Sequence, residues 1–261
     1  MHLAARSPSA MRQRLDLRTL LSDWPYDPEN TVRLVRAADG RELLQVRLPL
    51  GVEQYELDGR PDGERPHECE SFLDYHLQRL EEAKPARKQK AFSLSPSECA
   101  DLFAEGVLYY HRYLHLFEIK DWARTARDTA RNLRLFDLVR QHAAHQDDQC
   151  YLERWRPYLL RMNAVALAML ALDREDHLSA LQILQSAIHS IESLDRLEEE
   201  AFAIECRRSL GALRQLMGRV ESTRPISSLE RLERQLKQAI AAQQFERAAL
   251  LRDRIKALRP S

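Results

Sequence analysis

The sequence predicts a mainly α-helical protein in three parts. Of its 261 residues, 44% are hydrophobic, 31% are charged and only 7 are glycine, a composition typical of helices packed on helices. After residue 95, apolar residues recur at steps of three and four, which indicates amphipathic helices. Strand-like alternation is confined to the region before residue 60. We therefore expect a small N-terminal α+β module, a central helical bundle of antiparallel hairpins, and a C-terminal helical hairpin.

The N-terminal module is predicted to contain a β-hairpin between two helices. Two runs of apolar residues flank Asp39 and Gly40, and an Asp-Gly pair in this position favours a hairpin with a type I′ turn. One helix is expected over residues 15–23, and a third strand is expected around residues 52–57. The second helix, over residues 71–82, is expected to turn four side chains inward: Phe72, Tyr75, Leu77 and Leu80.

A charged segment with a proline, residues 84–94, is predicted to link the module, residues 15–83, to the bundle, residues 95–220. Ser95 and Glu98 have the spacing of a capping box, and the proline between them suits the first helical position. Asp121 and Asp176 fall where helix N-caps are expected. The apolar periodicity then predicts five helices, over residues 96–118, 121–144, 150–172, 176–194 and 197–217.

Two of the predicted helix pairs share a sequence pattern. Residues 114–123 lead into a helix with a small residue at Ala126, and residues 168–177 lead into one with a small residue at Ala180. The recurrence, at about 55 residues, is longer than a tetratricopeptide unit of about 34. The second pair resembles a tetratricopeptide repeat in its small residues at the helix contact. Stacked helix pairs follow from the pattern itself.

Composition and motif content argue against several classes of function. The 40 basic and 40 acidic residues balance, whereas a protein that coats DNA usually carries a dominant basic field. The sequence contains no phosphate-binding loop, dinucleotide fingerprint, hydrolase elbow or zinc-protease motif, so we expect no enzymatic activity and no cofactor. Residues 1–14, which we expect to be disordered, contain no signal-like apolar run, and no later stretch is apolar enough to cross a membrane.

The four cysteines lie dozens of residues apart without a paired spacing, which favours reduced thiols in a cytoplasmic protein. His111 and His115 share a helix face with Glu118, the arrangement of a zinc site. Because tyrosines surround these histidines, we expect ordinary aromatic packing and no bound metal.

A second candidate is a stripe of arginines at helical spacing, which could contact phosphates or an acidic partner. Aspartates on the same helix favour a different interpretation, in which the stripe is a solvated face paired with neighbouring acids. The arginines are Arg124, Arg127, Arg131 and Arg134, and the aspartates are Asp121, Asp128 and Asp137.

The C-terminal segment, residues 226–259, is predicted to form two helices joined by a short polar connector. Each helix carries a narrow apolar seam of coiled-coil type, and the connector requires an antiparallel pair. Two helices of this size bury too little apolar surface to be stable alone, so the seam needs a second surface. That surface is the bundle of the same chain, a second copy, or another protein. The seam residues are Leu229, Leu232, Leu236, Ala239, Phe245, Ala248, Leu251, Ile255 and Leu258.

The same segment resembles the UVR motif, through which the B and C subunits of the bacterial excinuclease interact. Related motifs occur in adaptors and subunits of bacterial Clp protease systems. The resemblance implies a hairpin that pairs with another such hairpin, with Phe245–Glu246 and Arg252–Asp253 near the contact. The candidate interaction residues are Leu229, Leu232, Leu236, Phe245, Glu246, Ala248, Ala249, Leu251, Arg252, Asp253, Ile255 and Leu258.

These observations lead to two functional hypotheses of different classes. The first is a non-enzymatic adaptor or scaffold that docks through the hairpin to a UVR-bearing protein or to its own copy. The second, suggested by the family association and by the arginine stripe, is a nucleic-acid-binding accessory factor in DNA excision repair.

Overall fold

The computed structural model describes residues 16–83, 92–225 and 228–258. The predicted disordered N-terminus and residues 84–91 of the predicted linker lie outside this description. The chain divides into two compact units, residues 1–215 and 216–261. The helices are α1 (Leu17–Leu20), α2 (Phe72–Ala83), α3 (Pro96–Glu118), α4 (Trp122–His142), α5 (Gln146–Tyr151), α6 (Arg156–Leu172), α7 (His177–Glu192), α8 (Glu200–Thr223), α9 (Ser228–Ala241) and α10 (Phe245–Leu258), and the strands are β1 (Val32–Arg36), β2 (Glu42–Leu48) and β3 (Gly51–Glu56).

The fold class matches the prediction, since a small sheet precedes a helical bundle and a terminal helix pair. The three strands form an antiparallel sheet in the order β1-β2-β3. Leu44 of β2 lies opposite Leu34 of β1 and Tyr55 of β3. One face of the sheet buries Leu44 and Tyr55 against Leu116 of α3, which attaches the sheet to the bundle.

The prediction of a type I′ turn between β1 and β2 is wrong. That turn requires positive φ at both central residues, and here Gly40 (φ 90°) has a positive φ while Asp39 does not. The Gly40 amide donates to the Ala37 carbonyl at 2.9 Å, and the Ala37 amide donates to the Arg41 carbonyl at 2.8 Å. The loop is therefore a β-turn followed by one left-handed glycine, the other common way to close a short hairpin.

Helix α2 is present where it was predicted, but the prediction of its inward residues needs correction. The residues that it buries fully are Leu73 and His76, whereas Tyr75 is only half-buried. Its first turn is fixed by the carboxylate of Glu105 in α3, which accepts hydrogen bonds from the amides of Phe72 (2.7 Å) and Leu73 (3.1 Å). A long-range partner therefore sets the rotation of α2. The other predicted residues, Phe72, Leu77 and Leu80, are partly buried against the core.

One hydrophobic core joins α2 to the bundle across the predicted linker. Leu73 of α2, Leu94, and Leu102 of α3 belong to the same buried cluster. The Leu94 amide donates to the His142 carbonyl at 2.8 Å, and its carbonyl accepts from the Ala144 amide at 2.9 Å. The two predicted modules thus share a core, and both belong to the first compact unit.

The bundle helices begin and end close to their predicted bounds, except that α8 ends at Thr223, six residues later than expected, and α6 begins late. The capping box at the start of α3 is formed, because the Ser95 hydroxyl accepts from the Glu98 amide and the Glu98 carboxylate accepts from the Ser95 amide. Helix α6 begins at Arg156, six residues later than expected, because the short helix α5 and a 3₁₀ turn, Glu153–Trp155, precede it. Helix α4 packs on both α3 and α6, and α6 packs on α7.

The turns of three helix pairs, α3–α4, α6–α7 and α9–α10, are built in the same way. In each, a residue of positive φ follows the first helix, and the next amide donates to the carbonyl five residues before it, which is the Schellman arrangement. The positive-φ residues are Lys120 (63°), Glu175 (59°) and Gln243 (58°), and the hydrogen bonds are Asp121–Leu116 (2.9 Å), Asp176–Ala171 (2.9 Å) and Gln244–Ala239 (2.8 Å).

A small buried residue occupies the same position of each following helix, four residues after the one whose amide closes the turn: Thr125, Ala180 and Ala248. The small residue of the first pair is thus Thr125, not the Ala126 expected from the sequence, and the arrangement continues into the C-terminal hairpin, which was not expected either.

Candidate protein-binding surface

The interior of the C-terminal hairpin is made by small and aliphatic residues of α9 and α10. Ala239, Ala248 and Leu251 form a buried cluster, and Leu232 and Leu236 pack against it half-buried. Alanines at the contact let the two helix backbones approach closely, while Leu251 supplies most of the buried volume. These five residues of the predicted seam therefore hold the two helices together.

Phe245 is not part of that interior, which corrects its predicted place in the seam. Its side chain is 69% exposed at the first residue of α10. Ile240, on the other side of the turn, is 54% exposed, and Leu250 is 67% exposed. Ile240 and Leu250 were not predicted as interaction residues, because both lie outside the seam spacing. Their apolar side chains at exposed helix positions were the available signal. Such residues lie on the solvent side of a two-helix pair and give this hairpin an apolar exterior.

The exposed side of α10 carries two parallel rows of side chains at helical spacing. Phe245, Ala249 and Arg252 form one row, and Glu246, Leu250 and Asp253 form the adjacent row; we call these six residues together with Ile240 the hairpin outer face. The Arg252 and Asp253 side chains are 74% and 70% exposed, and their 3.7 Å contact is a surface ion pair of small energy. Both charges are therefore available to a partner at little cost.

The predicted interaction residues thus separate into two groups. An outward group, Phe245, Glu246, Ala249, Arg252 and Asp253, is exposed. An inward group, Leu232, Leu236, Ala248, Leu251 and Ile255, is half-buried or buried. The side chains of Leu229 and Leu258 lie outside the described part of the molecule.

The arginine stripe on α4 does not form an open basic surface. Arg124 forms ion pairs with Asp121 (2.8 Å) and with Glu42 of β2 (2.9 Å). The hydrogen bond that the Arg124 guanidinium donates to Asp121 and its contact with Glu42 raise the pKa of Arg124, against the opposing effect of burial. This arginine is thus neutralised by acids of its own chain.

The next two arginines of the stripe also have partners inside the molecule. Arg127 pairs with Asp58 (2.8 Å) and Asp128 (3.0 Å). Arg131 is buried against the carboxylate of Glu105, and its guanidinium lies 4.0 Å from the ring centre of Tyr109. Arg134 is exposed. Asp137, which we expected beside the stripe, pairs instead with Arg156 at 2.9 Å.

The histidines of α3 do not converge on a metal-like arrangement. His111 is exposed beside the Tyr110 ring at 5.4 Å, and the Nδ1 atom of His115 lies 3.6 Å from a carboxylate oxygen of Glu118. Across the described residues, no three His, Cys, Asp or Glu side chains are grouped to hold a metal ion. The four cysteines are free, and Cys99 is fully buried. In the described part of the chain, no helix is both long and apolar enough to cross a membrane.

Together, the fold and the outer face define a helical protein that ends in a helix pair with an apolar and charged exterior. Residues 226–259 match the family model described as the UvrB/uvrC motif, so this hairpin is a UVR motif. UVR motifs are known for protein–protein and DNA-repair-related interactions. The match covers the hairpin and leaves the sheet and the bundle unassigned. Searches of curated proteins and of solved structures found no match to the chain.

Proposed function

We propose that the protein is a non-enzymatic adaptor or scaffold whose UVR hairpin docks to another UVR-bearing protein or to a second copy of itself. The observation that carries this proposal is the exposure of Ile240, Phe245 and Leu250 on one small hairpin. Large apolar side chains concentrated on so small an element favour association, because burying each of them contributes about 1.5 to 3 kcal/mol.

The charges of the outer face suit a specific contact. Apolar anchors give affinity, while charged neighbours select the partner and its orientation. Glu246, Arg252 and Asp253 flank the anchors with both signs of charge, so a partner with the same residues could pair its Glu246 with Arg252. This property supports a partner that carries a similar hairpin.

A cytoplasmic location is part of the proposal. Four free thiols suit a reducing compartment, since cysteines in oxidising compartments are usually paired as disulfides.

The alternative function, a nucleic-acid accessory factor in DNA repair, now rests on the motif alone. It drew on the arginine stripe, and three of the four stripe arginines are ion-paired within the chain. A surface that binds phosphates needs cationic side chains without partners in the protein. These side chains displace the counterions of the nucleic acid. We therefore favour a protein partner.

The proposal is tested with the full-length chain and a double variant, Phe245→Asp with Leu250→Asp. Both positions are exposed, so the hairpin should fold normally in the variant. The matched control is Leu178→Asp, which changes an equally exposed leucine of α7 (61%) outside the motif. Mass is measured by size exclusion with light scattering, and captured proteins from a bacterial lysate are identified by sequence.

The expected result is that the wild type and Leu178→Asp either form dimers or capture a protein with a UVR motif, and that the double variant does neither. A monomeric wild type that captures no UVR-bearing protein would overturn the proposal. So would a double variant that associates as the wild type does.

A further inference from the structure

A second feature of the molecule, in the bundle, has no part in the proposed docking. A pocket of about 360 Å³ opens between α3 and the start of α6, with α4 beneath it. This volume lies at the lower end of the range for small-molecule sites in proteins. Its lining residues belong to α3, to α4, to the segment that leads into α6 and to α6 itself, all in the first compact unit.

The walls of the pocket are mostly aromatic. Six rings, from phenylalanine, tyrosine and tryptophan, are contributed by α3, by α4, by the segment that leads into α6 and by α6 itself. The rings of Tyr110 and Tyr113 meet edge to face at 5.5 Å, and those of Tyr110 and Tyr158 lie 6.2 Å apart, bridging α3 and α6. Aromatic walls interact best with a flat ring, by offset stacking and by edge-to-face contact.

The polar groups of the lining are few. They are the hydroxyls of three tyrosines, the imidazole of His111 and the amide of Asn132, whose nitrogen donates to the Gly106 carbonyl at 3.0 Å. Among the described lining residues there is no Asp, Glu, Lys or Arg. A charged ligand would lose its hydration without gaining an opposite charge, so the lining suits a neutral ligand.

Access to the pocket is provided by residues at its edge. Val107 and Trp155 are each 51% exposed, and Tyr110 is 37% exposed, whereas Tyr113 is only 3% exposed. The lining therefore runs from solvent-accessible side chains to a buried interior. A small molecule can enter without the bundle coming apart.

Gly106 provides an independent observation. It lies inside α3, a helix of 23 residues, where glycine is less favourable than alanine. Packing does not require the glycine, because a Cβ placed there would meet its nearest heavy atom, Leu135 Cδ1, at 3.9 Å. Gly106 is one of the residues that line the pocket, so the wall of the pocket has no side chain at this position.

From the ring walls, the uncharged lining and the glycine, we propose that this pocket binds a neutral, flat aromatic molecule of one or two fused rings. The bundle would then be a ligand-binding part of the protein, separate from the docking hairpin. Binding there is independent of the proposed function and is tested without any partner protein.

The experiment uses the full-length protein and the dye 6-propionyl-2-dimethylaminonaphthalene, a neutral molecule with two fused rings whose emission shifts to the blue in apolar surroundings. We expect saturable binding with one dye per chain. Displacement then compares two ligands of similar size, neutral 2-acetylnaphthalene and anionic 2-naphthoate. The neutral ligand should displace the dye at a concentration at least about tenfold lower, the ratio that corresponds to 1.4 kcal/mol.

Two substitutions locate the dye. Gly106→Leu places a side chain in the pocket and should abolish saturable binding, whereas Gly211→Leu makes the same change inside α8, where a Cβ meets nothing within 4 Å, and should leave binding unchanged. Gly106→Ala is included in case Gly106→Leu fails to fold. It should weaken binding while the unfolding midpoint rises by about 2 to 4 °C, because a helix glycine is removed.

Three results would overturn the inference. The first is no saturable dye binding by the wild type. The second is equal displacement by the neutral and anionic ligands. The third is unchanged dye binding by both Gly106 variants, which would place the dye elsewhere on the protein.

Discussion

The α3–α4 and α9–α10 hairpins have the same turn, but they differ in how far the apolar residues beside that turn are exposed. Beside the first turn, the rings of Phe117 and Trp122 meet edge to face at 5.2 Å, and Phe117 packs against the bundle core. The corresponding residues of the second hairpin are Ile240 and Phe245, each more than half exposed. The same turn therefore occurs in two settings: in the bundle the apolar residues beside it are partly buried, and in the UVR hairpin they are exposed.

The comparison extends to the charged residues. In the first hairpin, Arg112 of α3 and Asp128 of α4 form a buried, two-point ion pair with distances of 2.7 and 2.9 Å. Arg112 also donates to the carbonyls of Glu56 and Gly59, so it ties the sheet to the bundle. In the UVR hairpin, Arg252 and Asp253 are exposed. Charges fix internal structure in one hairpin and are left for recognition in the other.

The largest expected effect comes from a substitution that breaks the buried ion pair of Arg112 and Asp128. Asp128→Asn leaves the Arg112 guanidinium buried without its counter-ion, and removing one partner of a buried pair costs about 3 to 5 kcal/mol. Asp253→Asn, at the exposed pair, should change the free energy of unfolding by less than about 0.5 kcal/mol. Urea unfolding of the two variants measures the difference. Equal effects would show that the two hairpins do not use their charges differently.

The next largest effect is the difference in stability loss between alanine substitutions at two adjacent leucines of α10. Leu251 is 6% exposed and Leu250 is 67% exposed. Leu251→Ala should lower the stability of the hairpin by about 2 to 4 kcal/mol, and Leu250→Ala by less than about 0.5 kcal/mol. Amide hydrogen exchange of residues 228–258 reports the local change. If Leu250→Ala accelerates exchange as much as Leu251→Ala does, then Leu250 is part of the hairpin interior and the outer face is wrongly assigned.

The sequence could predict what depends on neighbours along the chain. The bounds of α3 follow from the Ser95 cap and from regular apolar spacing, and the structure confirms them. The partners of the stripe arginines could not be predicted, because Asp58 and Glu105 lie 69 and 26 residues from Arg127 and Arg131. Helical spacing shows that side chains share a face. It does not show what packs against that face.

For the UVR hairpin, too, the local features could be predicted from the sequence and the exposure of individual residues could not. Its two helices and its inward residues follow from the seam, and the motif could be recognised from Phe245 to Ile255. The spacing could not show that Phe245 is exposed, because the first residue of a helix lies at the edge of the seam. Ile240 and Leu250 were not predicted, because the seam spacing selects the residues between the two helices and says nothing about apolar residues on the opposite side.

A smaller effect tests whether the two turns are equivalent. Lys120 and Gln243 both have positive φ, a conformation that disfavours residues with a side chain and suits glycine. Lys120→Gly and Gln243→Gly should each stabilise their hairpin by about 1 kcal/mol. Urea unfolding measures the first, and amide exchange over residues 228–258 measures the second. A gain at one site and a loss at the other would show that the shared geometry does not carry the same strain.

The last expected effect concerns pH and the starts of the helices. Although burial opposes it, the hydrogen bonds from the Ser95 backbone and from Arg79 lower the pKa of Glu98 from 4.5 to about 2. Because the folded-state pKa is depressed, this stabilisation is fully present above pH 4.5 and is lost as the pH falls towards 2. In α10 of the UVR hairpin, the third helical position, which Glu98 occupies in α3, is taken by Arg247, and the residue before the helix is Gln244.

The start of α3 should therefore weaken in acid as its capping carboxylate is protonated, whereas α10 has no carboxylate at the equivalent position. Glu98→Gln should make unfolding less sensitive to pH between 4.5 and 2, while Gln244→Glu, a change of the same size at α10, should leave that pH dependence nearly unchanged. Urea unfolding at several pH values measures both slopes. An unchanged slope for Glu98→Gln would mean that the acid sensitivity of the bundle arises from carboxylates other than the one that caps α3.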